Sequence, residues 1–157
     1  ETLRQNVYDR QDKCTEIRNR AEKELARAHF ETKFIIDKGA TEAELKPIQA
    51  LLRKSQWRWD YSIASHGATF HAPQEVIRLL AASIDYAKEA RILIARTAAK
   101  YGHTGEIPVP DYSTKAKAQQ AIGLDMQKLN EKKQKFLDEI VPKWIDEAKK
   151  NGRLIEI

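Results

Sequence analysis

The sequence is poor in cysteine, with Cys14 as the single thiol in 157 residues. One cysteine cannot form an intramolecular disulfide, and in a helical protein it packs as a small apolar residue. Covalent haem attachment through the usual CxxCH motif needs two cysteines followed by a histidine, so this chain cannot carry such a haem by itself. A single thiol is compatible with both reducing and oxidising compartments.

Long apolar segments and processing signals are also lacking. No run of about 18 apolar residues occurs, so no membrane-spanning helix is predicted. No charged and then apolar leader opens the chain, so no export signal is predicted. The first residue is Glu1 rather than Met, and a helical pattern is under way by Leu3. We therefore expect Glu1 to lie at a cut inside a longer protein or at an artificial boundary rather than at a natural start, with the function held by the missing part.

Charged residues are abundant but form no block of one sign. The chain holds 28 Lys and Arg against 23 Asp and Glu, for a formal net charge of +5. The two signs alternate along the predicted helices, which is typical of solvated helix faces and argues against nucleic-acid binding. The sequence also has no glycine-rich phosphate loop, nucleophile elbow, paired-histidine zinc motif or calcium loop. We therefore expect no active site in this chain alone.

Apolar periodicity predicts an all-α fold, a bundle of about four helices, two of them long, in one elongated domain over residues 1–157. The first helix covers residues 3–38 and carries small or apolar residues seven apart, a spacing that indicates a narrow packing seam. At 1.5 Å per residue its length is roughly 50 Å, and such a helix usually packs against another chain or domain. The seam comprises Val7, Cys14, Ala21, Ala28 and Ile35.

Glycine and capping residues predict where the first two helices meet. Gly39 is expected to end the first helix. Thr41 and Glu44 form a capping-box signature for a second helix, which runs to about Ser65 and should be kinked near its start by Pro47.

Proline and glycine also delimit the second half of the chain. A third helix is predicted over residues 73–101, and the two prolines of residues 105–112 predict an extended loop. A fourth helix should begin after Asp111 or Ser113, continue to about residue 152 and be kinked or broken at Pro142. Its predicted apolar stripe comprises Ile122, Met126, Leu129, Phe136, Ile140 and Trp144.

Residues 55–75 concentrate the unusual side chains of the sequence. Trp57 and Trp59 stand two residues apart, so they point to different sides of a helix, and we expect each to fill a core. His71 lies two residues before Pro73, at or just outside the amino end of the third helix, where the helix dipole disfavours a charged imidazole. A neutral imidazole offers the lone pair that a metal or a haem iron binds. A capping or packing role for His71 is the alternative.

The other three histidines have no partner at metal-binding spacing. His66 is five residues before His71, a separation that keeps two imidazoles apart on a regular helix, and Gly67 is expected to end the helix between them. His29 lies inside the first helix, and His103 lies in the loop after the third. We interpret all three as structural or solvated residues.

Five segments of the chain carry a family resemblance. They are AHFETK (28–33), GATEAELKPI (39–48), QWRWD (56–60), ASHGATFHAP (64–73) and IPVPDYSTKAKAQQAIGLDM (107–126). Together they resemble the carboxy-terminal helical part of the ammonia-forming cytochrome c nitrite reductases, the pentahaem enzymes of the bacterial periplasm. The likeness covers nearly the whole chain.

The resemblance implies a scaffold and dimerisation domain within a periplasmic oxidoreductase that reduces nitrite to ammonium with six electrons. In this family the histidine of the FHAP motif is the distal axial ligand of a relay haem, a role that falls on His71. The haem c groups, the catalytic residues and a calcium ion belong to the upstream haem-binding domain. The implied partners are that domain, a second copy of the chain through the long helices, and an electron-donor protein. None of these traits follows from composition or spacing.

Two alternatives stay open. The chain could be a haem-free helical dimerisation module, for which substitution of His71 has no consequence. It could also be a docking platform for another protein, for which binding to the charged faces depends on salt.

Overall fold

The computed structural model describes residues 1–154, and every regular element in that range is an α-helix, which confirms the all-α prediction. No helix of these residues is long and apolar enough to cross a bilayer. The residues fall into two compact units, Glu1–Val109 and Pro110–Ile157, while the single domain stays a prediction. The helices are α1 (Thr2–Asp37), α2 (Glu42–Ala64), α3 (Ala68–His71), α4 (Pro73–Lys100), α5 (Lys115–Ala121), α6 (Met126–Glu139) and α7 (Val141–Lys150).

Helix α1 is one continuous helix of 36 residues, as its seven-residue spacing predicts. Four of the five predicted seam residues are buried, and Val7 is half-buried. Gly39 follows the helix with a φ of +93°, a left-handed conformation that glycine adopts without a steric penalty. The amide of Ala40 then donates to the carbonyl of Ile35 at 3.0 Å, which closes the helix end.

Helix α2 begins with the predicted capping box. The amide of Glu44 donates to Thr41 Oγ1 at 3.4 Å, and the amide of Thr41 donates to Glu44 Oε2 at 3.0 Å. The Thr41 backbone hydrogen bond, followed by those from Lys100 and Tyr101, lowers the pKa of Glu44 to about 2. Because this pKa lies below its ordinary value, the stabilisation is present above that value and is lost as the pH falls towards about 2. The box therefore also joins α2 to the end of α4.

The core of the first unit lies between α1, α2 and α4. One buried cluster joins all three helices, and a second joins α1 to the first half of α4. Between α2 and α4, Ser55 and Ser83 are fully buried and hydrogen bonded to each other, with each hydroxyl donating to the other residue's carbonyl at 2.8–2.9 Å. These small side chains satisfy their own polar groups and let the two helices approach closely.

An ionic network crosses from α1 to α4 beside this core. Glu31 of α1 is 5% exposed and accepts hydrogen bonds from Arg27 at 2.8 Å and from Arg91 of α4 at 2.9 Å. Arg91 also pairs with Glu24 at 2.7 Å, and Arg27 also pairs with Glu106. The apolar periodicity of α1 gave no indication that Glu31 would be buried.

The second unit contains three shorter helices where the sequence predicts one long helix. Gly123 ends α5 with a φ of +72°, and Asp125 caps α6 by accepting from the amide of Lys128 at 3.0 Å. A further break before Pro142 separates α6 from α7, in line with the predicted break. None of α5, α6 and α7 contains a buried residue among the residues described. The predicted apolar stripe is therefore largely solvent-exposed.

Candidate functional site

The short helix α3 places His71 at a fixed position beside α4. Gly67 precedes α3, His71 ends it, and the amide of His71 donates to the carbonyl of Gly67 at 3.0 Å. Ala72 follows, and Pro73 occupies the first turn of α4, where a missing amide hydrogen has no cost. His71 thus lies just before the amino end of α4, as predicted.

The base of α3 is anchored in the smaller of the two buried clusters. Ala68 packs against this cluster, and Pro73 is buried beside it. The Cys14 thiol, 2% exposed, faces the carbonyl of Pro73 with a sulfur–oxygen distance of 3.9 Å, and burial raises its pKa. Cys14 is therefore a packing residue, as predicted, and it helps to hold the backbone next to His71.

The imidazole of His71 is exposed, and neither of its ring nitrogens is hydrogen bonded to a residue of the described range. Its ring makes an edge contact with Phe70, with the centroids 4.8 Å apart and the planes at 77°. A histidine held on a fixed backbone, with both nitrogens uncommitted, has the chemistry of an axial haem ligand.

Gly67 leaves open space next to the outer edge of this imidazole. A Cβ atom at Gly67 would lie 3.3 Å from His71 Cδ2 and 3.9 Å from Nε2. Nε2 is the ring nitrogen farther from the backbone and therefore the more accessible to an external iron. The uncommitted nitrogens and this side-chain-free edge fit a haem ligand, although the ligand role itself stays a prediction.

The structure does not bring the other histidines to His71. His66 is exposed and lines a cavity of about 380 Å³ with Asp12 and Arg18. The His103 ring packs 4.8 Å from the ring of Phe34. Within residues 1–154, no group of three His, Cys, Asp or Glu side chains could hold a metal ion. Any iron bound by His71 must therefore receive its other ligands from elsewhere.

The two tryptophans of α2 differ from each other. Trp59 is half-buried against both clusters, as predicted, and its buried Nε1 has no hydrogen-bond partner among residues 1–154. Trp57 is 58% exposed and stacks on Tyr61 at 5.5 Å, so its predicted core position is wrong. With His29, Trp57 lines an open groove of about 520 Å³ between α1 and α2.

Comparison with known proteins places this site in a family. A family model described as cytochrome c552 matches residues 1–152. The chain belongs to the cytochrome c552 family. It is 57% identical over 155 residues to cytochrome c-552 of Porphyromonas gingivalis, covering 99% of the chain and 31% of that relative. It is 56% identical over 156 residues to cytochrome c-552 of Bacteroides thetaiotaomicron, covering 99% of the chain and 32% of the relative.

A third relative, cytochrome c-552 of Parabacteroides distasonis, is 56% identical over 154 residues, covering 98% of the chain and 31% of the relative. The chain therefore spans about a third of the length of these curated relatives. The names of the family and of these relatives are those of c-type cytochromes, which are haem c proteins.

The family resemblance drawn from the sequence motifs was wrong. The matching family model and the relatives named here are those of cytochrome c552, not of the ammonia-forming nitrite reductases. Haem c remains supported by the family name, whereas the calcium ion inferred from that resemblance has no support. Because the sequence has one cysteine, a CxxCH attachment site is not among its residues.

Proposed function

We propose that this chain is a helical scaffold within a longer multihaem cytochrome c and that His71 is an axial ligand of a haem c attached to another part of that protein. The exposed, uncommitted imidazole on the fixed α3–α4 junction carries the proposal. Two facts support it: the chain belongs to a cytochrome family, and it lacks the cysteines for haem attachment.

The role of the chain in such a site follows from its own residues. When bound, the haem supplies one-electron transfer. The imidazole of His71 would supply the nitrogen that binds the iron, and the contacts of the buried Pro73 and the partly buried Ala68 hold its backbone. Phe70 makes an edge contact with one side of the imidazole. An imidazole from the scaffold would occupy a coordination position of the haem iron that a substrate could otherwise take. Such a haem is suited to electron relay rather than to substrate binding.

A change of ligand type tests the proposal. In the haem-loaded full-length protein, His71→Met replaces an imidazole by a thioether, and Met ligation raises haem reduction potentials. We expect a redox titration to show one haem with a raised midpoint potential and the others unchanged. His66→Met is the matched control, since His66 is also exposed but lines a cavity to which His71 does not contribute. Equal titrations for both variants and the parent would refute the ligand role.

The reaction, the compartment and the redox partner are proposed for the longer protein and not for this chain alone. We propose that its electrons reduce nitrite to ammonium, with six electrons and eight protons consumed and two waters released, in the periplasm and with an electron-donor protein as partner. Ammonium formed from nitrite by the reduced full-length protein is the test. Without ammonium formation, an electron-relay role alone would remain.

We further propose that the protein forms a homodimer, because the helices of the second unit expose many apolar side chains. Several large apolar side chains of its helices are at least 36% exposed: Met126, Leu129, Phe136, Leu137, Trp144 and Ile145. Phe136 and Trp144 form an edge contact at 5.3 Å that makes them one apolar patch. Sedimentation of the full-length protein at two concentrations tests this, and a monomer at both would exclude the dimer.

A further inference from the structure

We infer that Gly67 is a positioning residue for the His71 ligand, because the missing side chain at Gly67 keeps the Cδ2–Nε2 edge of the imidazole free. This inference rests on the proposed ligand role of His71. It adds a residue that contacts no iron itself but sets the orientation of the ring that does.

The backbone at Gly67 does not explain the presence of a glycine. Its φ of −87° and ψ of −12° lie in the right-handed helical region, which any L-residue adopts. Four other glycines of the chain, Gly39, Gly102, Gly123 and Gly152, have positive φ values and end helices. Gly67 differs from them, so a glycine is needed here for space rather than for its backbone conformation.

The space that a side chain at Gly67 would occupy lies directly next to the imidazole of His71. A Cβ atom at Gly67 would be 3.3 Å from His71 Cδ2, which is shorter than ordinary van der Waals contact and requires a shift of a few tenths of an ångström. Apart from the adjoining residues and the backbone of α3, no atom of residues 1–154 outside His71 lies within 4 Å of that position. Alanine would therefore press on one group only, the imidazole edge that holds Nε2.

The His71 imidazole is free to turn when a methyl group is added at Gly67. Phe70 contacts the imidazole edge-on at 4.8 Å, while the rest of the ring is exposed. A methyl group at Gly67 can therefore turn the imidazole without disturbing the buried cluster below α3. Groups that orient a metal ligand alter the properties of the bound metal, so the effect should be read at the iron rather than in protein stability.

The experiment compares glycine variants in the haem-loaded full-length protein by electron paramagnetic resonance. We expect Gly67→Ala to shift the g values of one low-spin haem and to leave the other haems unchanged. Gly67→Val, which adds two further methyl groups, should lower the low-spin intensity of that same haem. Gly105→Ala is the matched control, because Gly105 also lacks a positive φ and a Cβ there would meet nothing within 4 Å.

The His71→Ala variant distinguishes the positioning role of Gly67 from the ligand role of His71. If His71→Ala removes one low-spin signal and both Gly67 variants leave every signal unchanged, the positioning role is wrong and the ligand role stands. If His71→Ala also changes nothing, both are wrong. Far-ultraviolet circular dichroism of each variant should match the parent, and a loss of helix in Gly67→Ala would overturn the inference by making its effect a folding effect.

Discussion

Replacement of His71 by alanine in the haem-loaded full-length protein is expected to convert one low-spin haem to the high-spin state. His71 carries the only imidazole of the described α3–α4 junction, neither of its ring nitrogens is hydrogen bonded to residues 1–154, and alanine cannot bind iron. The vacated position should then accept an external ligand. We expect added imidazole to restore the low-spin signal, as measured by electron paramagnetic resonance and by the visible absorption spectrum.

Covalent haem content distinguishes this effect from loss of the haem. Because attachment through CxxCH cannot involve this chain, a pyridine haemochrome assay should give the same haem content for His71→Ala and the parent. His66→Ala should leave the spectra unchanged. A His71→Ala protein with every low-spin signal intact would exclude His71 as a ligand and favour a haem-free scaffold.

Replacement of Glu31 by alanine is expected to destabilise the first unit by about 3 kcal/mol, at the lower end of the range for breaking a buried ion pair. Glu31 neutralises Arg27 and Arg91 where α1 and α4 meet, and its hydrogen bond is the largest cause of the raised pKa of Arg27. Without it, Glu24 and Glu106 each retain one arginine, which limits the loss. Urea unfolding of the 157-residue chain, followed by circular dichroism, measures the change.

Glu16→Ala is the control for this measurement. Glu16 is also in α1 and pairs with Lys13 at 2.7 Å, but both side chains are more than half exposed. Exposed pairs contribute little because solvent screens them, so we expect an unchanged unfolding midpoint. Equal midpoints for Glu31→Ala and Glu16→Ala would show that the network does not stabilise the α1–α4 contact.

Local sequence signals predicted the first unit well. The seven-residue spacing of α1, the capping box at Thr41 and the proline at the start of α4 are local in origin, and each appears where predicted. The burial of Glu31 could not be predicted in this way. It depends on Arg91, which is 60 residues away in sequence and reaches Glu31 only after α1 and α4 pack together.

The second unit shows the limit of apolar periodicity. Ile122, Met126, Leu129, Phe136 and Trp144 fit one helical stripe, yet Gly123 and the cap at Asp125 interrupt the helix. Both residues are visible in the sequence, but the apolar stripe by itself gives no indication that a helix stops and restarts there. The exposure of these side chains could not be predicted from the pattern either. A periodic pattern indicates which face of a helix is apolar but not what covers that face.

The candidate site was predicted in part. The position of His71 before α4 follows from Pro73, and a helix break at Gly67 was expected from the glycine. The single turn of α3 and the contact between Gly67 and the imidazole, by contrast, require the folded chain. Helical spacing showed that Trp57 and Trp59 face different sides of α2. It did not show that the side with Trp57 is exposed to solvent. The ligand role of His71 needs an iron that the rest of the protein must supply.

The most direct test of the account is an experimental structure of the haem-loaded full-length protein, with His71 Nε2 located relative to the nearest haem iron. The account predicts that Nε2 is bonded to the iron of a haem attached outside this chain and that the Gly67 backbone lies beside the imidazole. A haem iron at this surface coordinated by another residue, or a His71 side chain remote from every haem, would contradict it.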